Sequence, residues 1–471
     1  MTLLEFLTEH AKGDRVSFHM PGHKGGRLYR RFGYDRFLGD MATVADMDIT
    51  EITGADNLHR PEGIIKGLEE DYRKLYGVEK SFLLVNGSTA GVMAAMLSSA
   101  APGKKILMSR GSHRSAYSAL KLGNITPTYL QPEMYEDYGI MGKINPEDVA
   151  EALDRDKDIQ AVLITSPNYY GVCSDVRAIA DEVHKRGRIL ITDQAHGAHL
   201  KLFEGFGLNE DLSVSAETGG ADIVINSIHK TLGSFTQSAL LNVVSDRVNQ
   251  RLLRENLNML QSTSPSYILM ASLAVNAELI KSHGKELFGQ WKENLDLFYK
   301  KIKDIDGVEV ISGPDTDRTK LNIKVAGGNV SGKALDEYLR SKGIDSELYT
   351  GDILMAMTGM GNERSDYEKL LLALDDATEI ATDVPCKEKR KAWELPKPGS
   401  VKEHGNETEE IALDKCQGRV SAVTVIPYPP GIPFICPGEE FTEEILENLK
   451  LAAEESQVSG LSDKGTIHVY K

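Results

Sequence analysis

Cysteine is scarce in this 471-residue chain. The four present, Cys173, Cys386, Cys416 and Cys436, are widely spaced and form no C-x-x-C pair. That spacing speaks against a disulfide framework or a cysteine zinc site and for reduced thiols in a cytoplasmic setting. Long apolar runs are missing as well. A membrane helix needs about 18 uncharged apolar residues, and the best candidate, Gly91 to Pro102, is short and rich in Ala and Ser. The opening segment carries Glu5 and Glu9 where a secretion signal has basic residues. Positive charge is also in deficit, with 54 Lys and Arg against 70 Asp and Glu and a formal net charge of -16. Binding to a phosphate backbone needs clustered cations, so nucleic acid is excluded as a partner. The expectation is a soluble cytoplasmic protein with neither a membrane nor a nucleic-acid partner.

What remains is an ordinary globular composition, 41% hydrophobic and 26% charged, long enough for two or three domains. Helical periodicity over Ile64–Tyr76 stops at Gly77. Short apolar strands then alternate with helices: Ser81–Val85, Lys105–Ser109, Thr126–Leu130, Ala161–Thr165, Ile189–Asp193, Asp222–Asn226 and Ala239–Val244. That alternation predicts an α/β fold with a mainly parallel sheet covered on both faces. Val248–Leu260 and Tyr267 onward to Lys303 read as long helices, and a second alternation begins near Val308. The predicted organisation is an N-terminal segment over 1–63, a large domain over 64–300 and a smaller α+β domain over 301–471. The stretch 385–415, rich in charge, Pro, Gly and Asn, is predicted to be a surface insertion outside the core.

In such sheets chemistry gathers at the carboxyl ends of strands, and four places qualify. After Ser81–Val85, the run Asn86-Gly87-Ser88-Thr89 opens a helix. Its amides and hydroxyls suit an anion or serve as a plain helix cap. After Lys105–Ser109 comes His113, a ring able to stack on a flat ligand, or merely a polar turn residue. After Ile189–Thr192 comes Asp193, a buried carboxylate that needs a cation such as a protonated pyridine nitrogen or a structural Arg. His196 and His199 follow it, but their loop-like context lacks the helical spacing of zinc enzymes, so no metal is expected. After Asp222–Asn226 come Ser227, His229 and Lys230, and a lysine desolvated at a strand mouth is suited to forming an imine. Phosphate cradle, stacking ring, pyridinium partner and imine-forming lysine occur in that order.

With those clusters in place the chain resembles the fold type I pyridoxal-phosphate (PLP) enzymes, which are aspartate-aminotransferase-like with a seven-stranded sheet. More narrowly, it resembles the short bacterial ornithine/lysine/arginine decarboxylases that lack an amino-terminal wing domain. The likeness includes Phe18-His19-Met20-Pro21-Gly22-His23-Lys24-Gly25, Asp56-Asn57-Leu58-His59, Ser262-Thr263-Ser264-Pro265-Ser266-Tyr267, and Pro427 to Pro433 with Pro437-Gly438-Glu439. The PGHK run lacks the G-x-x-x-x-G-K-[ST] spacing of an ATP loop. The resemblance implies PLP as cofactor, with Gly87, Ser88 and Thr89 on its phosphate and His113 stacked on its ring. It places Asp193 on N1, His196 near the 3-hydroxyl, and Ser227 and His229 beside Lys230. It also implies a homodimer with shared active sites, in which Ser262 and Ser264 reach the partner's phosphate. Gln194 departs from the family's D-E-A-H-G, and is expected to point away from the cofactor.

The implied reaction is decarboxylation of arginine, lysine or ornithine to agmatine, cadaverine or putrescine, as in polyamine biosynthesis, with arginine a marginal first guess. His229 or Lys230 is the expected proton donor. A distal cation needs a carboxylate, for which Glu439, Asp46, Asp48, Glu51 and Asp56 are the candidates. The rival readings are an aminotransferase or lyase on the same fold, with Arg419 holding the substrate carboxylate, and an inactive binding homologue. Retention of Lys230 and Asp193 speaks against the latter.

Overall fold

The computed structural model describes residues 16–18, 24, 27–38, 51, 55–135, 137–325, 330–382, 395–402, 404–428, 431–455 and 457–471. Seven short apolar runs build its main sheet: β1 (Lys80–Leu84), β2 (Lys105–Ser109), β3 (Thr126–Leu130), β4 (Ile159–Thr165), β5 (Ile189–Asp193), β6 (Ile223–Asn226) and β7 (Ala239–Val243). Their spatial order is β1-β7-β6-β5-β4-β2-β3. All pairings are parallel except those of β7, which runs antiparallel to both neighbours. The inner strands are buried on both faces, β6 and β7 completely. This is why they read as continuous Val/Ile/Leu runs and not as alternating patterns.

Three of the helices set how the chain approaches and leaves this sheet. Helix α1 (Ile64–Tyr76) ends at Gly77 with φ +61°, the left-handed cap that glycine adopts without steric cost. Helix α2 (Gly87–Ser99) lies so close to the sheet that a Cβ on Gly91 would sit 2.7 Å from Leu84 Cδ1 and 3.1 Å from Ile225 Cγ2. No other residue admits that approach. Helix α3 (Tyr267–Lys301), 35 residues long, buries Leu273, Phe288, Trp291 and Phe298. It carries the chain from the main sheet to a second one.

The second sheet is antiparallel: β8 (Val308–Val310), β9 (Lys320–Val325), β10 (Leu348–Thr350) and β11 (Ile353–Met357), in the order β8-β9-β11-β10. A three-stranded sheet comes next, formed by β12 (Thr408–Ala412), β13 (Val420–Ser421) and β14 (Thr466–Tyr470). Here the structure corrects the expectation of a loop outside the core over 385–415. Residues 385–394 lie outside the described residues, but Leu395 is buried among Phe434, Phe441 and Leu446, and Thr408–Ala412 pairs along its length with β14. Consecutive glutamates in this edge strand break the alternation, which hid its period from a reading by hydrophobicity.

Candidate active site

Five of the parallel strands deliver their carboxyl ends to one edge, and β7, being antiparallel, brings its amino end to the same place. A cavity of about 310 Å³ opens there. Its walls come from Gly87, Ser88 and Thr89 after β1, His113 after β2, Tyr169 after β4, Asp193 and His196 at β5, Ser227, His229 and Lys230 after β6, and Thr236 and Gln237 before β7. Each strand-end cluster marked in the sequence therefore faces a single space.

Lys230 sits in the short helical turn Ile228–Thr231, half-buried at the cavity wall, with Nζ 2.7 Å from His196 Nε2. Desolvation pushes its ammonium down to about 8, against the pull of Asp193 and Glu347. His113 and His229 are both brought down to about 4, chiefly by burial, and His196 falls well below its ordinary value for the same reason. The three imidazoles around the amine are therefore uncharged. His229 Nδ1 lies 2.8 Å from the Ser238 carbonyl, which can only accept, so that nitrogen carries the proton. His113 caps the helix Arg114–Gly123 by accepting from the Ser115 amide. The ring of Tyr169 packs against that of His196, tilted by 51° with centroids 4.5 Å apart, and its hydroxyl donates to Glu347 Oε1 at 2.9 Å.

Asp193 is buried, 5% exposed, and burial raises its carboxyl while Lys230 opposes the rise. The amide of Ala195 donates to it at 3.1 Å. Among the described residues no Arg, Lys or His forms an ion pair with it, so the structural-Arg alternative falls. Among the described residues His196 Nδ1 and Thr165 Oγ1 find no hydrogen-bond partner, although both are buried. At the opposite wall Asn86 leaves the start of α2 without a side-chain cap, and Ser88 Oγ and Ser227 Oγ meet at 3.0 Å. Open amides and paired hydroxyls at one end, with an unpaired carboxylate and imidazole at the other, fit a flat ligand with a phosphate tail and a basic ring nitrogen. Gln194 points the other way: it donates to Glu217 and Asn226 and accepts from the Ala216 amide.

Several expected site residues lie elsewhere. Glu439, a substrate candidate, is 1% exposed and absent from the cavity wall. Arg110 grips both of its oxygens, Nη1 to Oε1 at 3.1 Å and Nη2 to Oε2 at 3.0 Å, and donates to the Phe434 carbonyl. Asp56 does not reach the cavity either. Its carboxylate receives the amides of Asn57, Glu62, Gly63, Ile65 and Lys66 at the start of α1. Burial opposes its charge, but the amides outweigh it and bring the group down to about 2. Glu51 is half-buried outside the cavity wall, and Asp46 and Asp48 lie outside the described residues. Ser262 and Ser264 are exposed; the Ser262 amide reaches Asn86 Oδ1, next to the cavity. Tyr169, Thr236, Gln237 and Glu347 escaped the sequence reading. The strand-end rule applied to β4 would have found Tyr169, whereas nothing local marks Glu347.

Residues 2–320 match the model of the Orn/Lys/Arg decarboxylase major domain, and residues 386–460 match that of the C-terminal domain of the same family. The chain belongs to the Orn/Lys/Arg decarboxylase family. It is 33% identical over 480 residues to the uncharacterized protein YaaO of Bacillus subtilis, covering 97% of this chain and 95% of that one. It is 31% identical over 468 residues to an arginine decarboxylase of Bacillus anthracis, covering 95% and 92%. The solved lysine decarboxylase A of Pseudomonas aeruginosa superposes with a TM-score of 0.74 at 20% identity, over 99% of this chain and 80% of that one. That last likeness is one of fold.

Two measurements test this site. Acylation of Lys230 across pH, read by peptide mass analysis, should give a midpoint near 8, below that of exposed lysines on the same chain. A midpoint near 10.5 would mean that the amine is solvated. Glu439→Gln should lower thermal stability by about 3–5 kcal/mol, because it strands a buried guanidinium, whereas replacing Arg110 and Glu439 together by Met should cost less. A double variant that loses as much as the Arg110→Met and Glu439→Met changes added together would show that the pair is not coupled.

Proposed function

We propose that this family member removes the α-carboxyl group of a basic L-amino acid as CO₂, with PLP carried on Lys230 Nζ. One observation carries the reading: a lysine whose amine gives up its proton not far above neutrality shares a cleft with a buried carboxylate that has no ion-pair partner among the described residues. Bound PLP supplies the electron sink for the bond that breaks. The remaining work falls to the chain. Gly87, Ser88, Thr89 and Ser227 hold the phosphate through amides and hydroxyls at the start of α2. Asp193 keeps a proton on the ring nitrogen, and in doing so gains the cation its burial requires. His113 stacks on the ring face, and the unpaired Nδ1 of His196 is available to a ring oxygen. His229, with its low proton affinity, carries no extra proton to give near neutrality. Lys230, at about 8, is the better donor to the substrate Cα.

Substrate choice rests on Glu347. Its carboxylate, held by the Tyr169 hydroxyl, is close enough to act on Lys230. It stands behind the cavity lining, as Glu439, Glu51 and Asp56 do, but it alone of the four reaches that lining through Tyr169 and acts on Lys230, and we assign it to the substrate's distal cation. Arginine is the first substrate to test, since a guanidinium can take a carboxylate in two parallel hydrogen bonds. The aminotransferase reading loses support because Arg419 is engaged by Glu409 Oε1 at 2.6 Å and by the Tyr470 carbonyl. The reading extends to a cytoplasmic homodimer that feeds polyamine synthesis. Exposed Ser262, Ser264 and Met259 (71% exposed) make up the face offered to the second copy. Among the described residues no helix is long and apolar enough to cross a membrane.

The full chain incubated with PLP and, separately, arginine, lysine and ornithine should release CO₂ and the matching amine, arginine fastest. Lys230→Ala should abolish turnover. Product formation only with an added α-keto acid would assign the chain to the transaminases. Glu347→Gln should raise KM for the preferred substrate about 10- to 100-fold, the worth of one charge-assisted hydrogen bond, with a smaller change in kcat. An unchanged KM would remove Glu347 from substrate recognition.

A further inference from the structure

Behind the cavity wall, between the main sheet and the second one, lies a group of charges that the proposed reaction does not use. Asp317, Thr319 and Lys320 lead into β9 and are 0% exposed, as are His199 and Thr231. Lys320 Nζ donates to the His196 carbonyl at 3.0 Å and lies 3.4 Å from Asp317 Oδ2. Asp317 Oδ1 accepts from the Thr319 amide at 3.0 Å and from its hydroxyl at 2.8 Å. His199 Nε2 is 3.1 Å from Asp317 Oδ2, and its Nδ1 is 3.2 Å from Thr231 Oγ1. Burial lowers the proton affinity of His199, so the neutral ring donates to Asp317 and accepts from Thr231. Burial also opposes the charge of Asp317, but His199 and Lys320 outweigh it and hold the carboxyl well below the usual carboxylate range.

The cluster reaches three segments around the reactive amine. Lys320 holds the backbone of His196, the residue whose ring touches Lys230. Thr231 is the next residue after Lys230. The turn that carries Tyr169 is tied in through the Asp317 amide, which donates to the Gly171 carbonyl at 2.8 Å. Gly171, at φ +86°, packs against the Lys320 stem so closely that a Cβ would meet Lys320 Cγ at 2.8 Å. A buried ion pair is weak evidence of added stability, because the desolvation it suffers offsets much of its attraction. Three backbone or side-chain links from one such pair to one cavity need a different account.

We propose that Lys320, Asp317 and His199 form a buried positioning cluster. It fixes the His196 loop against the Lys230 turn, and its two opposite charges set how readily Lys230 gives up its proton. The groups facing that amine are Asp193 from β5, Glu347 from the second sheet, and the uncharged His113, His196 and His229. Asp193 and Glu347 favour the ammonium, and Lys320 opposes it. The assignment rests on the reading of Lys230 as the reactive lysine, but it is tested on the amine itself, in the full chain without added cofactor.

Competitive acylation across pH, read on the Lys230 peptide by mass spectrometry, gives the midpoint for each variant. Lys320→Met removes a nearby positive charge and should raise the midpoint by about one pH unit, a roughly tenfold loss of free amine at fixed pH. Asp317→Asn should lower it, and Lys320→Arg should leave it in place. The double variant Lys320→Met with Asp317→Asn removes both charges, so it folds more readily than either single change, and its midpoint should fall between those of the two single variants. A purely structural role predicts something else: both single variants shifting the same way, or the double variant moving as far as Lys320→Met. Either result, or no shift in any variant, overturns the proposal. The cofactor reading stays separate, since it stands or falls on turnover by Lys230→Ala.

Discussion

The arrangement depends on one desolvated amine. Water is the cheapest way to stabilise an ammonium, and the sheet edge withholds much of it from Lys230. Once the charge on that lysine is weakened, its surroundings become possible. Three imidazoles stand around it, and in a solvated pocket near neutrality part of that population would be protonated and repel the amine. The burial that lowers Lys230 also lowers His113, His196 and His229. All four nitrogen bases are therefore biased toward their uncharged forms by the same cause. Asp193 experiences the opposite consequence of burial, a raised carboxyl that lacks an ion-pair partner among the described residues. A cavity that discourages both a cation at Lys230 and an anion at Asp193 is prepared for a ligand that brings its own charges.

Sheet topology is what makes this concentration possible. Parallel strands put successive loops at one edge, and the single antiparallel strand β7 adds Thr236 and Gln237 to that edge from its amino end. Gly91 has a part in this that is easy to overlook. By letting α2 settle onto Leu84 and Ile225 it places the helix's first amides at the cavity, where a side chain at 91 would lift them away. The contribution of the helix dipole falls off within its first turn, so such a displacement would matter.

Much of this is legible in the sequence because strand ends announce themselves. A run such as ILITD or DIVIN is too apolar to be anything but buried, and the polar residue that closes it has few places to go. Gly87 to Thr89, His113, Asp193, His196 and Lys230 are all found in that way. The carboxylates that lie off the cavity wall show the limit of the method. Glu439 and Asp56 look free in one dimension, yet Arg110 lies 329 residues away from the first, and the backbone amides that claim the second come together only once α1 has formed. Glu347 and the Asp317–Lys320 pair are invisible for the same reason: their meaning is given by which sheet they face. The strand Thr408–Ala412 is hidden by its consecutive glutamates, which break the alternation: Glu410 is exposed on one face, while Glu409 is held by Arg419 on the other.

Those hidden residues share a location. Glu347, Asp317 and Lys320 belong to the second sheet and its approaches, while Arg110 joins the main sheet edge to Phe434 and Glu439 in the C-terminal part of the chain. The main sheet alone supplies every group assigned to the cofactor. The group assigned to the substrate's distal end comes from across the seam, by way of the Tyr169 hydroxyl. On the proposed reading, attachment of the cofactor and selection of the substrate fall to different parts of the fold, linked where Lys320 holds the His196 carbonyl and His199 meets Asp317. A shift of the second sheet by even about an ångström would leave the phosphate cradle intact while changing the distance from Lys230 to Glu347. If Glu347 meets the distal cation as proposed, that distance decides whether a long guanidinium side chain or a shorter ammonium one fits, and the choice of basic amino acid is made along this seam and not at the lysine.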